Sequence, residues 1–480
     1  MCIYTCLNSG ITYIGNNSTE NLNGQKIKFS NLMAELIKYS DNLLVANGLL
    51  YIYDETVGCY KVCIQKEVAK KLRTLLEEDD RLKVTSRQYK EAYEQLLIAE
   101  EVQHDVEFFA NEPYVNCLNG VYDVREGVLK KHSAKYYFKH VLNAEFDPDA
   151  ECPIFMDYIE TITQGDKELK KLIQVVMGYI LSHYNNSKIA VLLYGVPHTG
   201  KSVLCKIITD IIGEKFVSNV DLAFLEKQEY AAALSGMLVN IAPDLKNEAL
   251  KDPGFFKSLV SHNDTVNARL LYHNTGKVKG ETKMIFCSNH LVEIGANVSS
   301  MDAEAVFNRL LYIPFQNSTI SEEDDNKNIA RDIVHSERNG VFRWAMEGLK
   351  EYIDSGETFP KCKLSEEVKA MNMAHYCPEQ VFWKMCIKKD VEAYVSTKKV
   401  KEAFERFCAD REVKGRYNIG DYIKNIEKIP TERISLSPPL TAHFRVCCFS
   451  YANENHAIVA WFNCLSYSTA EHKYIVFNGK

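Results

Sequence analysis

Apolar residues recur along this chain with two periods, and each period predicts a kind of element. Ala190, Val191, Leu192, Leu193 and Tyr194 form a continuous apolar run ending at Gly195, which predicts a short strand buried on both faces. Beyond it, Val203, Ile207, Ile208, Ile211 and Ile212 return at helical spacing up to a stop at Gly213. Further strands are predicted in GMLVNIAPD (236–244), MIFCSN (284–289) and RLLYIPF (309–315). DPGFFKSLVS (252–261) predicts a helix with an Asp-Pro start, residues 265–289 read as strand, hairpin turn and strand, and 326–353 predicts a long amphipathic helix or helix pair.

The flanks are patterned differently. Residues 1 to about 105 alternate strand-like pieces, such as LLVANGLLYIY (43–53), with a charged helical stretch around 66–103. Asn119-Gly120 and Glu126-Gly127 punctuate the apolar runs of 113–133 as hairpin turns would, FDPDAECP (146–153) is a turn-rich joint, and 154–183 has helical spacing. Residues 364–429 predict a small helical domain, and 431–480 carries no legible pattern. Strands alternating with helices make the fold class α/β, and 480 residues allow two to four domains.

Composition narrows the setting. Hydrophobic residues at 46% and charged residues at 25% are ordinary globular values. No apolar run is long enough to span a bilayer and MCIYTCLNSG lacks a signal-peptide pattern, so the expectation is a cytoplasmic protein with no membrane partner. The 15 cysteines form no paired C-x-x-C sets and read as reduced thiols rather than a zinc ribbon. With a net charge of −7, a polyanion would have to be held by local basic patches.

The junction of the first strand and helix carries the chemistry. Gly195, Val196, Pro197, His198, Thr199, Gly200, Lys201 and Ser202 read G-x-x-x-x-G-K-[ST], with Val203 opening the helix behind them. Glycines let the loop turn its N–H groups inward around a phosphate, and the helix points its positive end at the same place. Lys201 can reach the outer phosphates and the Ser202 hydroxyl can ligate Mg2+, which implies ATP or another nucleoside triphosphate with magnesium. Asp244, closing the next apolar strand, is the candidate acid for the metal and the attacking water; as a bare pattern it also fits a surface loop residue after Pro243. Asn289 ends a further strand and could orient that water or simply make a turn. Arg309 either reaches a neighbouring subunit's nucleotide or flanks a buried strand, and spacing alone favours the second.

The order of these parts resembles the superfamily 3 helicases, in particular the poxvirus and phage/plasmid primase-helicase group within the AAA+ ATPases. The resemblance runs through the phosphate loop and the single-acid strand, then Lys257, Leu259, Asp264, Ala268, Arg269 and Tyr272. It continues through Lys283 to Asn289 and Arg309 to Phe315, and covers roughly residues 105 to 430. It departs where the family often has Gly-Asp (Asn263-Asp264 here), Arg-Arg (Asn308-Arg309) and Asn-x-x-Pro (Asn289-His290-Leu291-Val292).

The resemblance implies an AAA+ P-loop ATPase core (184–357) preceded by a helical region (106–183) and followed by a winged-helix-like DNA-binding domain (358–430), with the roles of 1–105 and 431–480 open. It implies that Lys201, Asp244, Asn289 and Arg309 are catalytic, with Ser202 and Asp244 at the metal. Arg269, His273, Lys277 and Lys279 would grip single-stranded DNA from a pore hairpin, whose turn at Asn274-Thr275-Gly276 puts cations at the tip. The expected assembly is a homo-oligomer, a hexameric ring acting at replication forks of a virus, phage or mobile element, with a separate primase or polymerase as a possible partner. Asp147-Pro148-Asp149 is the only Asp-x-Asp, and proline there argues against a primase strand. Two other readings fit the same chain: an origin-binding initiator that uses ATP to oligomerise, and an AAA+ protein remodeller, against which the basic hairpin argues.

Overall fold

The computed structural model describes residues 3–6, 11–14, 18–21, 29–40, 42–46, 48–75, 84–104, 112–225, 230, 232–242, 250–261, 265–268, 276–279, 282–295, 298–315, 328–387, 397–410, 413, 417, 419–420, 422–423, 462–463 and 476–477. The chain is a mixed α/β protein built around a five-stranded parallel sheet. Its strands are β10 (Ala190–Tyr194), β11 (Val217–Ser218), β12 (Val239–Ala242), β15 (Lys283–Ser288) and β16 (Leu310–Pro314), in the order β11-β12-β15-β10-β16.

Continuous apolar runs are what such a sheet requires, because helices cover both faces. On β10, Val191 and Leu193 face one layer while Ala190 and Leu192 face the other. The first layer contains α4 (Pro153–Thr163), α5 (Lys167–Leu181), α6 (Lys201–Ile212), α10 (Ile329–Ser336) and α11 (Arg338–Asp354). Opposite lie α8 (Pro253–Leu259), α9 (Ser300–Phe307), α12 (Lys363–Ala374), α13 (Pro378–Cys386) and α14 (Thr397–Asp410), with α7 (Leu222–Leu225) at the margin. The helices of 363–410 thus share a core with the sheet. The predicted helix of 326–353 is a pair, broken at Glu337.

In the first layer α5 and α11 approach each other closely. A Cβ on Gly178 would lie 2.3 Å from the Ala345 carbonyl oxygen, and one on Gly348 would lie 2.2 Å from that of Gln174. Glycine at both positions lets the two backbones touch. Lys283, buried at the start of β15, donates its ammonium to the carbonyls of Tyr179 and Ser182 at the end of α5. That arrangement satisfies carbonyls a helix leaves open.

Upstream, β1 (Ile3–Cys6), β2 (Ile11–Ile14) and β3 (Ser18–Asn21) form one antiparallel sheet. A second, β4 (Leu43–Ala46), β5 (Leu49–Asp54) and β6 (Cys59–Val62), packs Leu43, Val45, Leu50 and Cys63 against α1 (Phe29–Ser40), α2 (Gln65–Leu75) and α3 (Ser86–Ile98). Among the described residues, the charged stretch predicted around 66–103 carries two α-helices. The Asn119-Gly120 and Glu126-Gly127 turns join β7 (Tyr114–Cys117), β8 (Gly120–Asp123) and β9 (Val128–Lys130). Two further strand pairs, β13 (Thr265–Ala268) with β14 (Gly276–Lys279) and β17 (Phe462–Asn463) with β18 (Val476–Phe477), stand outside the main sheet. Among the described residues no helix is long and apolar enough to cross a membrane.

Candidate nucleotide site

The G-x-x-x-x-G-K-S segment lies where its pattern puts it, between the end of β10 and the start of α6. Gly195 lies so close to the end of the neighbouring strand β16 that a Cβ would meet the Phe315 carbonyl oxygen at 2.3 Å. His198 holds φ at 62° and Gly200 at 95°, both in the left-handed region. A left-handed histidine in a phosphate-loop pattern is a local strain of the kind that collects at ligand sites. Gly200 is also the N-cap of α6 and offers no side chain to cap it, which leaves the opening turn of the helix for an anion.

Inside the loop, Thr199 is buried and its hydroxyl donates to the Val196 carbonyl at 2.9 Å. Lys201 is also buried, and its ammonium donates to the carbonyls of Gly195 (2.6 Å) and Val196 (2.7 Å) and to the Thr199 hydroxyl (3.3 Å). Those bonds hold the cation across the mouth of the loop, beside the outward-facing Val196, Pro197 and His198. Ser202 is exposed in the first turn and Val203 half-buried behind it. A concave loop of backbone groups, a cation and an open helix N-terminus together suit a polyphosphate.

The neighbouring strands bring in one more predicted residue. β15 pairs with β10 in parallel, Tyr194 opposite Ser288, and the Gly195 N–H donates to the Ser288 carbonyl at 3.1 Å. Asn289, the next residue, is therefore at the loop, half-buried. The segment after it is held by Asn372 of α12, which accepts from the Val292 N–H and the Tyr312 hydroxyl and donates to the Val292 carbonyl. The sequence offered no sign of Asn372, an amide eighty positions away in an amphipathic helix. Tyr158 of α4 was missed for the same reason: its hydroxyl donates to the Gly200 carbonyl at 2.9 Å.

Arg309 lies elsewhere. It precedes β16, and its carbonyl accepts from the Ala190 N–H, so it sits at the opposite edge of the sheet from the loop. The two edges are separated by the length of β10, on the order of 15 Å. Its guanidinium donates to the Ala305 carbonyl in the last turn of α9. Arg309 does not meet Lys201 or Asn289 within one chain.

Asp244, Arg269 and His273 lie outside the described residues. The hairpin is described over its two strands, β13 and β14. Ala268 pairs with Gly276, Asn267 with Lys277 and Thr265 with Lys279, so both lysines lie on the returning strand β14. Gly276, the last residue of the Asn-Thr-Gly signal, opens β14, while Asn274 and Thr275 lie outside the described residues.

Comparison with known proteins gives two family matches and relatives among curated proteins. Residues 29–164 match the family described as "D5 N terminal like", and residues 193–309 match a family of unknown function, DUF5906. A protein of Acanthamoeba polyphaga mimivirus named "Putative helicase L207/L206" is 24% identical over 250 residues, which is 48% of this chain and 25% of that protein. The chain thus spans about a quarter of that relative's length. Two solved apo structures of the NrS-1 C terminal region resemble this chain at 13% identity and a TM-score of 0.45, one covering 88% of this chain and 99% of its own, the other 79% and 86%.

Proposed function

We propose that this chain is an ATP-driven DNA helicase of the superfamily 3, AAA+ type, acting as a homo-oligomeric ring on single-stranded DNA during replication of a virus, phage or mobile element. The observation that carries the proposal is the loop of Gly195–Ser202 between a central parallel strand and an uncapped helix, with Asn289 just past the end of the adjoining strand. The relative's name supports it, as does the family match upstream of the loop.

In this reading the loop N–H groups and Lys201 hold the outer phosphates, and Ser202 with Asp244 holds Mg2+, which when bound polarises the terminal phosphate. Asn289 orients the attacking water. Arg309, set at the far edge of the sheet, would serve a neighbouring subunit's nucleotide, since it is a strand's length from its own. The arm of the hairpin carries Lys277 and Lys279, which with Arg269 and His273 would hold a DNA backbone without reading bases. The domain division at 184–357 and 358–430, the cytoplasmic site of action and a separate primase or polymerase partner belong to the same proposal.

ATP hydrolysis with and without single-stranded DNA, followed by strand displacement, tests it. The parent should hydrolyse ATP faster with DNA and displace a strand, while Lys201→Ala should do neither. Lys277→Ala with Lys279→Ala should keep basal hydrolysis, lose displacement, and flatten the salt dependence of DNA binding by about two units of slope if both touch phosphate. A parent that never unwinds but binds duplex origin DNA would replace this reading with an initiator. Hydrolysis unchanged in Lys201→Ala would remove the nucleotide assignment.

A further inference from the structure

The start of α6 is held from outside the sheet. Tyr158 is buried on α4, its hydroxyl donates to the Gly200 carbonyl at 2.9 Å, and its ring faces Gly200 so closely that a Cβ there would be 3.2 Å from Cε2. Ile162, one helical turn on, stands 3.1 Å from the same point. The Gly200 carbonyl already accepts from the N–H groups of Val203 (3.0 Å) and Leu204 (3.2 Å), so the tyrosine adds a third donor to the peptide that turns loop into helix.

The start of helix α4 is itself held by a side chain. Glu337, buried at the break between α10 and α11, accepts from the Ile154 N–H at 2.9 Å and the Phe155 N–H at 2.8 Å. These are donors a helix start leaves open, and a carboxylate satisfies them with favourable charge. The next residue, Arg338, pairs with Asp210 near the end of α6 at 2.6 Å. Asn143 adds two bonds there, its N–H to the Ile211 carbonyl (2.6 Å) and its amide to that of Asp210 (3.1 Å). The phosphate-loop helix is therefore clamped at both ends, with Glu337 and Arg338 anchoring the two arms.

We propose that Tyr158 is a positioning residue of the nucleotide site: by fixing the Gly200 peptide in its left-handed conformation, it aims the opening turn of α6, Lys201 and Ser202 at the phosphates. The inference rests on the nucleoside triphosphate reading above and makes the helical region before the sheet an integral part of that site. Burial holds the Tyr158 hydroxyl well above its ordinary pKa, so it remains a donor throughout the neutral range.

The test is Tyr158→Phe, which keeps the ring and removes only the donor. Binding of a fluorescent ATP analogue with Mg2+, kcat, and the melting temperature without nucleotide are measured on the full chain. The expected result is a Kd raised about 3- to 10-fold and a lowered kcat with a melting temperature close to the parent's, the scale of one net hydrogen bond. Glu337→Gln, which weakens the anchor of α4 without reaching the loop, should shift Kd in the same direction. Lys201→Ala serves as the reference. If it loses the analogue while both variants bind as the parent does, the positioning role is overturned, whether or not their melting temperatures fall. If Lys201→Ala itself binds normally, the nucleotide reading fails first.

Discussion

The glycine crossing of α5 and α11 gives a prediction whose sign separates two physical accounts. Helix propensity alone says that Gly178→Ala and Gly348→Ala should each stabilise the chain by about 1 kcal/mol, because alanine restricts the unfolded backbone. The tertiary structure says the reverse. The new methyl of Gly178→Ala would stand 2.3 Å from the Ala345 oxygen and 2.4 Å from the Leu349 nitrogen, and that of Gly348→Ala 2.2 Å from the Gln174 oxygen. All three are backbone atoms, which cannot swing aside. An ordinary contact lies beyond 3.4 Å, so the helices must part by about 1 Å, as overpacked cores do at a cost of about 1–3 kcal/mol. Adding lost contacts among Tyr179, Ala345 and Leu349 and subtracting the propensity gain leaves each variant destabilised by about 1–3 kcal/mol. One displacement admits both methyls, so the double variant should cost at least about 1 kcal/mol less than the sum. Urea unfolding midpoints of the parent, both single variants and the double variant measure this. A stabilised Gly178→Ala, or strictly additive costs, would refute the backbone-contact account.

Two further outcomes are expected. Arg309→Ala should lower ATP hydrolysis by about 10³-fold or more if it serves a neighbouring nucleotide. Mixing it with Lys201→Ala should then restore part of the activity, and no rescue despite co-assembly would argue for a role confined to capping α9. His140 is fully buried, its Nε2 at 2.8 Å from the Gly236 carbonyl, and burial lowers its pKa to about 4 against the usual 6.5, the hydrogen bond opposing in part. Below the unfolded pKa the unfolded chain binds the proton and the folded chain does not. This stabilisation is therefore complete above pH 6.5 and is lost as pH falls toward 4, by about 2 kcal/mol at pH 5. His140→Gln should flatten that dependence, and a variant with the parent's pH slope between 7 and 5 would contradict it. His183, also pushed down by burial, adds a slope of the same sign that the substitution leaves in place.

Much of the candidate site was legible because it is local. A strand, a glycine loop, a lysine and a helix lie within 24 residues, so apolar period and glycine spacing already determine which backbone groups can face a phosphate. The break of 326–353 into two helices and the Asp-Pro start of α8, where Asp252 accepts from the Phe255 N–H at 2.9 Å, are similarly short-range.

Relations between segments were decided only by the tertiary structure. The pattern marks Asn289 and Arg309 alike, one at the end of a strand and the other at the start of one. Only the parallel pairing of β10 with both β15 and β16 puts the first at the loop and the second at the far edge. Pairing of β13 with β14 sets Lys277 opposite Asn267 and Lys279 opposite Thr265, since turn residues mark where a strand ends but cross-strand pairing selects which residues oppose each other. Tyr158, Asn372, Glu337 and the Gly178–Gly348 crossing looked like ordinary members of amphipathic helices. Their partners lie 42, 80, 182 and 170 positions away or nearly so. A period in the sequence tells a residue which side of its own helix it occupies; what stands on that side is settled by the packing of the whole chain, where backbone contact, burial and unsatisfied polar groups are resolved together.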